Sequence, residues 1–122
     1  MRMSCLECVR KHLGEAMYHL EESFMGYPHH AMWAVGAFGH AASEALKAFP
    51  ELANDIRNAR LAYERCLARV LTGAKITDVA GDMPDMEGLA MRVHEMILAE
   101  LLSGETNTSV RSVRDALDLK QQ

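Results

Sequence analysis

Apolar residues recur at helical spacing along most of the chain, and no stretch alternates with period two for more than a few residues. Leu6, Val9, Leu13, Met17, Leu20 and Phe24 form one apolar stripe, which predicts a first helix over about 5–25. Gly26 is placed to end it, because glycine takes the left-handed backbone that closes a helix. Pro28 suits a first turn and opens a second helix over about 28–49. So short a link implies that these two helices lie antiparallel.

Met32, Trp33, Val35, Ala37, Phe38, Ala41, Ala45 and Leu46 leave the second helix little polar surface, which predicts a central position. Gly36 and Gly39 are poor helix formers and are expected to admit a close neighbour. A third helix over 50–71 carries Leu52, Ile56, Ala59, Tyr63, Leu67 and Val70 inward, and Gly73 ends it. Residues 74–83 read as the longest loop. A fourth helix over 84–103 follows, with Met86, Leu89, Val93, Met96, Ile97 and Leu101 inward and Gly104 as its stop. Val110, Val113 and Leu117 allow a short tail helix over 108–119, capped by Thr108. A helix that short is marginal alone and must dock on the bundle or on a partner.

The expected fold is therefore all-α: a four-helix antiparallel bundle over 1–104, followed by a short C-terminal amphipathic helix within 105–122. A chain of 122 residues suits one domain, and 49% hydrophobic with 25% charged residues is the mix of an ordered globular protein. The net charge of -4 argues against a bulk electrostatic grip on nucleic acid. Charged Glu7, Arg10 and Lys11 near the start disfavour a signal peptide, and the most apolar run, 31–42, is too short to span a bilayer. A cytoplasmic protein with no membrane partner is expected.

Chemistry concentrates at the start. Cys5, Cys8 and His12 read C-x2-C-x3-H, a spacing that resembles three ligands of a structural zinc site. It is not a haem attachment motif, since no histidine directly follows the second cysteine, and no strand precedes it as in a thioredoxin-like motif. On a continuous helix, Cys5 and His12 would stand about 10.5 Å apart along the axis, too far to share an ion. If both are ligands, Cys5 must lie in a turn before the helix, folded back, and the helix must begin near Glu7. A closed site needs a fourth ligand. A hairpin centred near residue 27 brings His12 level with about residue 42, flanked by His40 and Glu44. His40 is the expected fourth ligand, because imidazole suits zinc, with Glu44 as the alternative. Cys66 falls about 18 Å from Cys8 by the same register and reads as a buried free thiol.

Glu15, His19 and Glu22 continue the polar stripe, and His94 and Glu100 sit on the fourth helix. Carboxylates and imidazoles in a bundle are the ingredients of a di-iron or di-manganese site. The paired Glu-x-x-His motifs of such sites are absent, and so are phosphate-loop, nucleophile-elbow and H-E-x-x-H motifs. His29 and His30 read as surface residues. The nine methionines read chiefly as adaptable core filler.

The sequence thus points to a small zinc-binding helical protein that acts through protein partners or self-association, and away from an enzyme. Two rivals stand beside it: a metal-dependent enzyme, with iron or manganese, and a metal-free helical adaptor. A thiol-redox role for Cys5 and Cys8 is a further alternative.

Overall fold

The structure is a computed structural model that describes residues 5–103. Its helices are α1 (Leu6–Phe24), α2 (His30–Leu46), α3 (Pro50–Leu71), α4 (Ile76–Val79) and α5 (Met86–Leu102), with a 3-10 turn at Ala80–Asp82. No strand occurs among the described residues. The expected tail helix and the Gly104 stop lie outside them.

Helix ends follow local chemistry. Gly26 and Gly73 have φ of 102° and 116°, the left-handed backbone that L side chains avoid. At each, the next amide turns back on the helix: Tyr27 N–H to Glu22 C=O at 3.2 Å, and Ala74 N–H to Arg69 C=O at 2.9 Å. Pro50 sits in the first turn of α3, where its missing N–H costs nothing. Asp85 caps α5 by accepting the Gly88 N–H at 2.9 Å.

Four long helices share one core. α1 packs on α2 and on α5, and α2 packs on α3. An Arg92–Asp55 ion pair links α5 to α3. Leu6, Val9, Leu13, Ala16 and Leu20 of α1 meet Ala34, Phe38, Ala41 and Ala45 of α2, and Leu52, Ile56 and Tyr63 of α3. The first hairpin runs antiparallel, because Cys5 meets Glu44, His12 meets His40 and His19 meets His30. Its mirror point lies slightly earlier than residue 27, near Met25.

Three expectations need correction. α2 is not buried all round: it buries five alanines and Phe38, while Met32 and Trp33 stand 80% and 54% exposed. A Cβ on Gly36 or Gly39 would meet nothing within 4 Å, so the close approach is made by the alanines, not the glycines. Residues 74–83 are not a plain loop. Val79 is fully buried and pins the short helix Ile76–Val79 against the bundle. Burial of one branched side chain there organises a stretch whose local sequence signals only a turn.

Candidate functional site

α1 begins at Leu6, with Cys5 just outside it. Cys5 is the N-cap in extended conformation, one residue before the helix, and its Sγ accepts the Cys8 N–H at 3.1 Å. A sulfur in the capping position satisfies one of the amides that a helix start leaves unpaired. Cys5 therefore folds back over the first turn, with its Cα 5.1 Å from that of Cys8, and the two sulfurs are joined in a disulfide. The sequence reading favoured free thiols here, so the bond is a departure from it. With both sulfurs engaged, no group of three His, Cys, Asp or Glu side chains stands in metal-holding geometry among the described residues.

The other expected residues gather around the same end of the hairpin. His12 lies one turn beyond Cys8 on α1, and the His40 ring of α2 stands 5.3 Å from its ring. His12 Nδ1 is 2.7 Å from a Glu15 carboxylate oxygen. A carboxylate only accepts, so Nδ1 holds the proton and Nε2 of the neutral ring keeps its lone pair for another partner. A carboxylate behind a ring in this way is the usual support of a metal-binding histidine. Glu44 is employed differently. One of its oxygens accepts the Cys5 N–H at 3.2 Å, and the other accepts from Lys47 Nζ at 2.9 Å. Glu44 thus ties the start of α1 to the end of α2.

Below this cluster, α1 and α2 frame a groove of about 400 Å³ lined by His12, Glu15, His19, Met32, Trp33, Gly36, Ala37 and His40. His19 Nδ1 approaches His30 Nδ1 to 2.8 Å across the hairpin. His29, His30 and Trp33 crowd together beside it, with the His30 and Trp33 rings 4.9 Å apart. Partial burial, then His29 and His19, hold His30 below the ordinary histidine pKa, while Glu22 pulls the other way. His30 is therefore not the plain surface residue the sequence suggested. Its adjacency to His29, and the hairpin that returns it to His19, were the available signals. His94 is exposed on α5 and does not line the groove.

Cys66 takes no part. It is buried, its Sγ pointing to the Val79 carbonyl at 3.8 Å, and burial followed by nearby Asp82 pushes its pKa up. A buried thiol held protonated is an inert one. Among the described residues no helix is long and apolar enough to cross a membrane. Compared with protein-family models, with curated proteins and with solved structures, the chain finds no match.

Proposed function

We propose that the protein is a small zinc-binding helical module in which Cys5, Cys8, His12 and His40 hold the ion and fasten the start of α1 to α2. The observation that carries this reading is the Glu15 carboxylate on His12 Nδ1, which leaves the opposite ring nitrogen free beside His40 and one turn from Cys8. Zinc takes tetrahedral sulfur and nitrogen ligands, which this set supplies. The ion would bind the reduced chain, and the two thiols would lose their protons on binding. Zinc here would be structural, fixing one end of the bundle. Met91, Leu98 and Leu102, apolar and exposed on α5, support a role in protein interaction, with self-association in solution as its first test.

Protein purified under reducing conditions, without added metal or an affinity tag, should carry about one zinc per chain by plasma mass spectrometry, and the Cys8→Ser variant should carry none. No metal in either protein, or zinc undiminished in the variant, overturns the reading. Iron or manganese near two per chain replaces it with the metal-dependent enzyme.

One observation favours a second reading, thiol–disulfide exchange. The joined sulfurs sit at a helix N-terminus, whose amide dipoles favour a thiolate. A partner thiolate would attack one sulfur and expel the other as thiolate. A second partner thiol would then release the mixed disulfide, leaving the Cys5–Cys8 dithiol and a partner disulfide. Catalysed reduction of a protein disulfide by the reduced chain, abolished in Cys5→Ser, would favour this over the zinc clip.

A further inference from the structure

The groove between α1 and α2 has a lower end that the thiol site does not use. His19 projects from the last third of α1, and His30 begins α2. Their Nδ1 atoms stand 2.8 Å apart. The ring centroids stand 5.0 Å apart, so the two nitrogens point almost straight at one another in an N–H···N hydrogen bond. A turn of each ring would aim both lone pairs at one ion beside them, and imidazole pairs suit nickel(II) and copper(II).

Both rings are only half-buried, so water can complete the coordination sphere. The α1–α2 hairpin already brings the two nitrogens together, so binding would order little further chain. Neighbouring rings confine the pair: His19 lies 5.4 Å from Trp33, and His30 lies 4.9 Å from Trp33 and 4.7 Å from His29.

From this juxtaposition we infer a second metal site, in which His19 Nδ1 and His30 Nδ1 chelate one divalent transition ion of the nickel(II) or copper(II) class, with Trp33 as its wall. The two ring nitrogens that now share one hydrogen would both turn lone pairs to the ion, and that hydrogen moves to the far nitrogen of its ring. No electron transfer is involved. The site is independent of the Cys5–Cys8 chemistry, so the two can be tested apart.

The chain has one tryptophan, which makes the site its own reporter. The full-length protein is kept in its disulfide form, so that the Cys5 and Cys8 sulfurs cannot bind, and nickel(II) is titrated while Trp33 fluorescence is followed. Nickel is chosen because thiols do not reduce it. Quenching should saturate at about one ion per chain, and half-saturation should weaken at least about tenfold in His19→Gln and in His30→Gln. It should be unchanged in the His12→Ala/His40→Ala double variant. Circular dichroism confirms that each variant remains helical. Quenching that never saturates, that is the same in all variants, or that is lost with His12 and His40 overturns the inference. Failure here leaves the zinc reading untouched, since zinc is assayed on the reduced chain.

Discussion

Tyr63 shows how much one polar atom can fix. Its ring is fully buried between Phe24 and Phe38, and its hydroxyl lies 2.7 Å from Ser23 Oγ. Ser23 has one hydrogen and donates it to the Leu20 carbonyl at 2.7 Å, so Tyr63 is the donor to Ser23. Ser23→Ala would strand that hydroxyl in an apolar interior and should cost about 1–3 kcal/mol by urea denaturation. Tyr63→Phe in the Ser23→Ala background should recover much of the loss. Cys66 should resist thiol reagents in the folded chain and react only on unfolding.

Burial raises the pKa of both Tyr63 and Cys66 above their ordinary 10.0 and 9.0, so each holds its proton more tightly folded than unfolded. Above those ordinary values the unfolded chain loses protons that the fold keeps. Stability should therefore fall as pH rises through 9 and 10, seen as a lower urea midpoint at pH 10 than at pH 8. Cys66 was legible from sequence because helical period and register place it far from the other cysteines. The Ser23–Tyr63 bond was not, since it joins residues of α1 and α3 that no local pattern relates.

At the scale of elements, the ends of α3 and the stop at Gly26 could be read directly, because proline and glycine act through their own backbone constraints. The sequence of α2 carries only part of its placement. Its helical period was plain, but average hydrophobicity does not tell which side faces in. The helix is turned so that five alanines and Phe38 face inward, while Met32 and Trp33 are left outside. Gly39 has open space where a Cβ would go, so Gly39→Ala should stabilise the protein by roughly 0.5–1 kcal/mol in thermal or urea unfolding. A glycine required for close packing would instead make that variant less stable. The Arg92–Asp55 pair joins α5 to α3 through side chains that are each about two-fifths exposed. Arg92→Gln should cost less than about 1 kcal/mol, and the cost should shrink further at high salt.

For the molecule as a whole, the disulfide closes only one helical turn, while the core that holds α1 to α2 lies along the full hairpin. Reducing it should lower stability by no more than about 2 kcal/mol and leave the helices intact by circular dichroism. Zinc added to the reduced chain should then raise the melting temperature, by about 2.7 kcal/mol of stabilisation at a hundredfold excess over its dissociation constant. Zinc without effect on the reduced chain would count against the clip.

The sequence by itself determined the four long helices and their approximate ends. Each of these is dictated within a few residues, by period or by capping. It also brought His12 and His40 to one level, because a short hairpin link leaves two helices little freedom of register. Tertiary structure alone decided which face of α2 is wet, that Val79 anchors the segment before α5, and that Glu44 serves the backbone of Cys5. Those outcomes depend on the rotation of one helix against another, and that rotation is set by the fit of side chains in three dimensions rather than by any spacing along the chain.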